Sequence, residues 1–379
     1  MRIVYLINAP GPRLSGAGRH MFVLARHDLE RGAEVWVGAP EGSGVHAVAE
    51  DMGAHPFATP MTASLGSIRD LRARIASIDP DIVHAMSFAP LTLAGLPRRF
   101  PSDRPRTFAS ILVDPESSLP MARTRFRPVV MWLRNQAARR DASKADAVFA
   151  VSEKVALALA RIGATGNIVV ARDGLDLPGL HARAAVPLSL PDGRPRIGCA
   201  CAELAASKGV GYLVEAFARI APRHPEAVLL FAGDPHPSIN LPKLAADLGV
   251  AERVHMLGFL EDTAPFFPAL DVYVMPSLSE GLNTSVLEAS ALGAPIVACD
   301  VGGLSEAAIA DETGLLVPPA DAGALAEAVE RLLGDLALAA RLARNARERM
   351  EREFDVEGLY ALTDAEYDRA LAAMGSESS

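Results

Sequence analysis

The chain is predicted to fold as two doubly wound parallel α/β sheets in tandem. Three observations predict it. Short β-branched runs alternate with helical patterns along most of the sequence, the alternation pauses once, and then it restarts. Strand alternating with helix implies parallel pairing, because a parallel strand pair needs a crossover. The length of 379 residues, at about 100–200 residues per domain, fits two units.

The elements follow in order. RIVYLIN (2–8) is a first strand, followed by a helix from about His20 to Arg31. EVWVGAP (34–40) is the next strand, then a helix near 66–78, then DIVHAM (81–86). RTFASILV (106–113) and AVFAVS (147–152) continue the series, and NIVVARDG (167–174) closes it. Residues 177–196, LPGLHARAAVPLSLPDGRPR, are rich in proline and loop formers and read as a linker. The alternation resumes with IGCACA (197–202), a helix from about Val210 to Ala221, AVLLFAG (227–233) and a helix near 242–248. VHMLGF (254–259), DVYVMPS (271–277), a helix over 284–292, PIVACD (295–300) and TGLLVPP (313–319) follow. An Ala-, Arg- and Glu-rich helical stretch runs from about Ala322 to Ala373. The expected units are 1–176 and 197–355, with the linker between them and a helical tail over 356–379. In such sheets ligands bind beyond the carboxyl ends of the strands, and two of them facing each other would form a cleft.

The composition narrows the function. Half of the residues are hydrophobic and 22% are charged, which suits globular cores. A net charge of −9 disfavours bulk nucleic-acid binding. Three cysteines, Cys199, Cys201 and Cys299, are too few and too oddly spaced for a disulfide framework and fit a reducing compartment. Cys199 and Cys201 alternate on one strand face and read as small core residues. No His, Asp or Glu cluster has metal-ligand spacing. The apolar start is too short for a signal peptide and no run reaches membrane-spanning length, so a cytoplasmic protein is expected. The first strand is not followed by G-x-G-x-x-G in frame, which argues against a nicotinamide-dependent oxidoreductase.

The stretch SEGLNTSVLEA (279–289) carries chemistry. Glu280 and Glu288 are eight residues apart, so they do not form one helical stripe. One precedes a helix and the other lies within it. Asn283 or Thr284 suits the N-cap. The helix's free N–H groups then point out of a strand's carboxyl end, a ready phosphate site. Gly281 lets backbone approach closely. A diphosphate between two sugars, with one acid for each end, fits this arrangement. A surface helix with solvated glutamates is the other reading of the spacing.

Longer motifs favour the first. SEGLNTSVLEASALGAPIVACDVGGLSEAAIADETGLLVPPAD, VHMLGFLEDTAPFFPALDVYVMPS, ADAVFAVSEKV, VVARDGLD and SGAGRHMFVLARHDLERGAEVWV are spread along the chain between residues 15 and 321. In these segments the chain resembles the retaining glycosyltransferases of family 4, which have the GT-B fold of two Rossmann-like domains. The resemblance implies transfer of a sugar from a UDP- or GDP-sugar donor to a glycan or lipid-linked acceptor hydroxyl, with retention and without a metal cofactor. It points to cell-envelope glycan, glycolipid or polysaccharide synthesis. It implies that Glu280 holds donor-sugar hydroxyls, Glu288 the ribose, and Gly281, Leu282, Asn283 and Thr284 the diphosphate. Gly258 and Phe259 would lie near the nucleobase. Gly16 would let the first loop approach the diphosphate, and Lys208 would neutralise leaving-group charge. His84 and Ser110 are acceptor-side candidates, with a core or loop histidine the other reading of His84.

Three positions depart from the family pattern. Glu203 stands where an arginine is usual, Ala109 and Ser110 where a histidine is usual, and Ser15 where a first glycine is common. These departures leave a degenerate, binding-only protein as an alternative, beside a GT-B nucleotide-sugar epimerase. Residues 98–144 hold eleven basic and four acidic residues, a net of +7. Trp132 lies among arginines there, so residues 121–140 are a candidate for peripheral contact with an anionic membrane; a solvated basic face is the alternative.

Overall fold

The computed structural model describes residues 1–62, 64–90, 105–112 and 127–377, with the side chains of 127–134 and 374–377 outside the description. The chain divides into unit 1, Met1–Asp173 with Leu359–Ser379, and unit 2, Gly174–Gly358.

Unit 1 alternates β1 (Arg2–Leu6), α1 (Gly16–Glu30), β2 (Glu34–Ala39), α2 (Gly44–Asp51), β3 (His55–Ala58), α3 (Leu65–Ile78) and β4 (Ile82–Ala85). Then come β5 (Arg106–Ile111), α4 (Arg127–Ala142), β6 (Ala147–Ala150), α5 (Glu153–Arg161) and β7 (Ile168–Val170). Among the described residues the sheet has the order β3-β2-β1-β4-β5-β6-β7, and every pair is parallel. The direction of winding reverses between β1 and β4, where Tyr5 pairs with His84.

Unit 2 contains α6 (Leu177–Ala184), β8 (Arg196–Leu204), α7 (Val210–Ile220), β9 (Val228–Pro235), α8 (Leu241–Asp247) and β10 (Val254–Gly258). It continues with β11 (Val272–Met275), α9 (Thr284–Ala291), β12 (Ile296–Cys299), α10 (Leu304–Ala307), β13 (Leu315–Val317), α11 (Ala322–Gly334) and α12 (Leu336–Glu353). Its parallel sheet has the order β10-β9-β8-β11-β12-β13, with the reversal between β8 and β11. Helix α13 (Val356–Glu377) ends the described chain.

Apart from β3, the strands overlap the runs the sequence offers, and the central ones are buried on both faces, as parallel sheets require. β11 is buried at all four positions, and so is β12. Three expectations are corrected. The expected linker contains α6, capped by Asp176, which accepts from the Gly179 N–H at 3.0 Å. The long helical stretch breaks into α11, α12 and α13. One break is at Asp335, whose carboxylate caps α12 through the Leu338 N–H at 2.9 Å. The expected helical tail is present as α13, and its Leu359, Tyr367 and Ala370 sit in the hydrophobic core of unit 1 beside Tyr5, Ile82 and Phe108. Burying large apolar side chains stabilises by about 1.5–3 kcal/mol each, so α13 is part of that core. The first helix begins at Gly16 rather than near His20, because Ser15 caps it by accepting from the Gly18 N–H at 3.2 Å.

Candidate functional site

The reversal between β8 and β11 in unit 2 is the place where an open α/β sheet offers a crevice to a ligand. The chain leaves β8 into a short turn, Ala206–Lys208, and leaves β11 through Pro276 and Ser277 into the loop carrying Glu280. These two exits are locked together by backbone. Leu278 donates its N–H to the Ser207 carbonyl at 3.1 Å. Gly209 has φ +64°, and a Cβ there would lie 1.8 Å from the Pro276 oxygen. On the other side, Gly303 donates its N–H to the Gly281 carbonyl at 2.6 Å. Gly302, with φ +50°, packs so closely that a Cβ would lie 1.8 Å from the Glu280 carbonyl oxygen. Neither glycine tolerates a side chain, for reasons of both conformation and space.

This frame brings Lys208 and Glu280 together. The Lys208 Nζ donates to Glu280 Oε1 at 2.6 Å, and the Ser277 hydroxyl donates to the same oxygen at 2.7 Å. The Glu280 side chain is only 10% exposed while that of Lys208 is 32% exposed, so the cation is the more accessible partner. Asn283 is the N-cap of α9, accepting from the Val286 N–H at 3.1 Å, while its amide nitrogen reaches Met275 Sδ at 3.7 Å. Thr284 is the first helical residue, so the N-cap falls to Asn283 of the two candidates. Gly281 and Leu282 are buried beneath the loop. Glu288, one turn into α9, accepts from the Thr263 hydroxyl at 3.2 Å. Thr263 lies in the segment that leaves β10. The last residue of that strand, Gly258, has φ +73° and open space where a Cβ would point; Phe259 follows, half-buried.

The β8 thiols adjoin this pair. Cys199 is fully buried in the core of unit 2, and Cys201 packs against that core from a partly buried position. The hydrogen bond to Cys201, together with burial, pushes the Cys199 thiol up. The hydrogen bond from Cys199 pulls the Cys201 thiol down, with the nearby Lys208 ammonium adding in the same direction and Glu280 and Glu203 opposing it. Cys201 therefore feels all three charges. Glu203 itself is exposed near the end of β8, opposite Asp234 and past an irregularity in the strand pairing after Ala200.

In unit 1, Gly16 opens α1 and is exposed, with open space where a Cβ would lie. The acceptor-side candidates need correction. His84 is fully buried and Ser110 is 1% exposed. The two are bonded to each other, His84 Nε2 to Ser110 Oγ at 2.9 Å. His84 lies inside β4 in the sheet's core rather than at an open strand end, so neither side chain presents itself to a ligand. Ala109 is likewise buried. Of the basic segment, Arg123 and Arg125 lie outside the described residues, as do the side chains of Arg127, Trp132 and Arg134. Arg139 is exposed and donates to the Gly163 carbonyl at 3.2 Å, and Arg140 is paired with the buried Asp141 at 2.8 Å. Among the described residues no helix is long and apolar enough to cross a membrane, and no three His, Cys, Asp or Glu side chains group as metal ligands would.

Sequence reasoning missed Ser277, Gly209 and Gly302, which hold the pair in place. Ser277 closes the DVYVMPS run, and the two glycines lie in S-K-G and V-G-G turns, where a left-handed residue is readable.

Comparisons with known proteins agree with this fold. Residues 14–177 match the family model described as Glycosyltransferase Family 4, and residues 194–335 match that of Glycosyl transferases group 1. The lipopolysaccharide core biosynthesis glycosyltransferase LpsE of Rhizobium meliloti is 37% identical over 210 residues, 55% of each chain. The 2-deoxystreptamine glucosyltransferase of Streptomyces kanamyceticus is 31% identical over 64% of this chain and 65% of its own. The chain thus spans between half and two thirds of the length of these relatives. Among solved structures, the sucrose-phosphate synthase of Thermosynechococcus elongatus superposes with a TM-score of 0.80 at 22% identity, covering 98% of this chain and 100% of that one. Anabaena HepE in complex with UDP-glucose superposes with a TM-score of 0.78 at 20% identity, covering 98% and 100%. These likenesses show the fold, two Rossmann-like parallel-sheet units of the GT-B class. With both of its halves matched to that family's domain models, the chain belongs to the group 1, family 4 glycosyltransferases.

Proposed function

We propose that the protein transfers a sugar from a nucleotide-diphosphate donor to an acceptor hydroxyl, with retention of anomeric configuration. The observation that carries this reading is the Lys208–Glu280 pair, fixed beside the N-terminus of α9 at the sheet's reversal point. An ammonium and the N-terminal amides of a helix suit a diphosphate. A carboxylate one step away suits sugar hydroxyls. Breaking the sugar–phosphate bond leaves negative charge on the diphosphate, and Lys208 would stabilise it in a preorganised position. Glu288 would accept from the ribose, Gly281 to Thr284 would meet the diphosphate, and Gly258 and Phe259 would border the base. HepE, crystallised with UDP-glucose, supports a nucleotide-sugar donor. LpsE, named for lipopolysaccharide core synthesis, supports an envelope glycan or lipid-linked acceptor.

The test is a panel of UDP- and GDP-sugars screened by thermal shift, followed by product analysis with the donor that binds. Ligand binding to the native state raises the midpoint by mass action. A transferred sugar with the donor's anomeric configuration, in the presence of a chelator, is expected. An inverted product or a strict metal requirement would overturn those parts of the reading. An epimerised donor would show the GT-B epimerase reaction instead, and binding without turnover a degenerate enzyme.

A further inference from the structure

Unit 1 contains a continuous chain of buried polar side chains that the proposed transfer site does not use. Asp173 Oδ1 lies 2.6 Å from His20 Nδ1, and His20 Nε2 lies 3.3 Å from Ser110 Oγ. Ser110 Oγ lies 2.9 Å from His84 Nε2, and His84 Nδ1 lies 2.6 Å from the Tyr367 hydroxyl. The Tyr367 hydroxyl lies 3.4 Å from that of Tyr5, which donates to Asp28 Oδ2 at 2.6 Å. The contributing elements are α1, β1, β4, β5, the loop after β7, and α13. His20 and Asp28 stand eight residues apart on α1, about 12 Å along its axis. Asp173, His20 and Ser110 have the order of a nucleophilic triad. Ser110, however, is 1% exposed and also bonded to His84, so it is no nucleophile.

Proton counting fixes how such a chain is wired. A serine or tyrosine hydroxyl has one proton to donate, and a neutral imidazole donates from one nitrogen and accepts at the other. With Asp173 ionised, His84 neutral and each hydroxyl donating within the chain, two arrangements satisfy every link. In the first, His20 carries both ring protons and donates to Asp173 and Ser110. Ser110 donates to His84 Nε2, His84 donates from Nδ1 to Tyr367, Tyr367 donates to Tyr5, and Tyr5 donates to an ionised Asp28. In the second, the proton resides on Asp28, every link from Asp28 to Ser110 is reversed, His84 donates from Nε2, and His20 accepts at Nε2 while keeping Nδ1–H on Asp173. The two arrangements hold the same number of protons. Passing between them moves one proton's worth of charge from His20 to Asp28, with one O–H or N–H bond broken and one formed at each link.

We propose that this chain is a two-state proton store, in which the charge at the carboxyl end of sheet 1, on His20, is exchanged with Asp28 on the far turns of α1, and the tautomer of His84 reports which state is held. The groups facing each end set the balance. Asp173 faces His20 and favours the cation. Tyr5, His27, Arg31, Asp364 and Tyr367 surround Asp28. Burial raises the Asp28 carboxyl to about 6, which brings the second arrangement within reach of the first. Burial also holds His84 well below the usual histidine range, with the His20 charge adding to it, so His84 is neutral in both. The consequence for unit 1 is a charge at the carboxyl end of its sheet that responds to events at α13, which supplies Tyr367. The tautomer does not depend on turnover, so failure here is separable from failure of the proposed activity.

The test is nitrogen-15 NMR of the histidine rings in the full chain at about pH 7.5, above the ordinary histidine range. Wild type should show His84 protonated on Nδ1. Asp173→Asn, which removes the charge that holds the cation, should convert His84 to the Nε2–H form, and Asp173→Glu should restore Nδ1–H. Asp28→Asn keeps an acceptor for Tyr5 and should leave His84 as Nδ1–H. An Nε2–H His84 in wild type would overturn the assignment without any variant. An unchanged His84 tautomer in folded Asp173→Asn would overturn the coupling.

Discussion

Glu280 Oε1 is shared: the Lys208 ammonium lies 2.6 Å from it and the Ser277 hydroxyl 2.7 Å from it. The cation assigned to the leaving diphosphate and the acid assigned to the donor sugar therefore hold each other. Glu280→Gln should separate these roles. Transfer should fall by about 10²- to 10³-fold, the loss typical of one transition-state hydrogen-bonding group. UDP or GDP alone should bind as tightly or up to about tenfold more tightly, because a neutral amide competes less for Lys208. Lys208→Ala should weaken both. Calorimetry and initial rates check this. Near-normal turnover in Glu280→Gln would remove that residue from the site.

Gly302 and Gly209 should be as intolerant as the charged pair. Each has positive φ, and each would place a Cβ 1.8 Å from a carbonyl oxygen of the opposing strand exit. Gly293 supplies the control, with φ +76° and open space around it. Alanine at a left-handed position costs about 1 kcal/mol from conformation alone. Gly293→Ala should show that loss and no more, whereas Gly302→Ala should lose further stability and weaken nucleotide binding through displacement of Glu280. Equal effects at 293 and 302 in thermal melts and calorimetry would mean that the close packing does not matter to the loop.

Much of this fold is legible in the sequence, for a physical reason. Buried parallel strands write themselves as β-branched runs, and β11 and β12 appear where those runs lie. The acidic loop and its helix cap are local signals, and Asn283 caps as its position suggests. Pairings between distant residues leave no such trace. Lys208 and Glu280 are 72 residues apart, and His20 and Asp173 are 153 apart. The tail's Tyr367 reaches β4 only through the fold, so periodicity identifies α13 as a helix but not its partner. A strand-end histidine and a core histidine look alike in sequence, so both readings of His84 stand there, and its burial in β4 favours the core one.

Glu203 is exposed and near enough to Cys201 to oppose its thiolate. If it stands at the diphosphate, Glu203→Arg should tighten binding of the nucleoside diphosphate by about 1–3 kcal/mol, the worth of a charge-assisted hydrogen bond replacing a repulsion. The gain should shrink with salt, since an exposed charge is screened over about 10 Å at 0.1 M. Unchanged or weaker affinity by calorimetry would place Glu203 away from the donor.

Membrane contact through residues 121–140 is a separate proposal. Arg139 is exposed, while Arg140 is engaged by the buried Asp141, so Arg140 is the poorer choice for substitution. Arg134→Gln with Arg139→Gln should weaken sedimentation with anionic vesicles, at about 1 kcal/mol per basic residue near the surface, and leave donor affinity unchanged. Binding should fall as salt rises and be slight with neutral lipid. Equal pelleting with both lipids, or with neither, would leave a solvated basic face.

The pH dependence of stability should carry the signature of Asp28. Burial raises its carboxyl from 3.8 to about 6, against the lowering effect of the Tyr5 hydrogen bond and the His27 and Arg31 charges. The folded chain thus holds this proton more tightly than the unfolded one. The contribution to stability is fully present below about pH 4 and is lost as pH rises through about 6. A shift of about two units corresponds to about 3 kcal/mol at most. Asp28→Asn cannot ionise, and its amide oxygen still accepts from Tyr5. Relative to wild type it should gain stability above about pH 6 and little near pH 4, flattening the profile between them. Urea unfolding at about pH 4.5, 6 and 7.5, values that bracket the shifted carboxyl, measures the difference. A constant offset across that range would mean that Asp28 titrates as an ordinary carboxylate and that its burial is relieved by the charges around it.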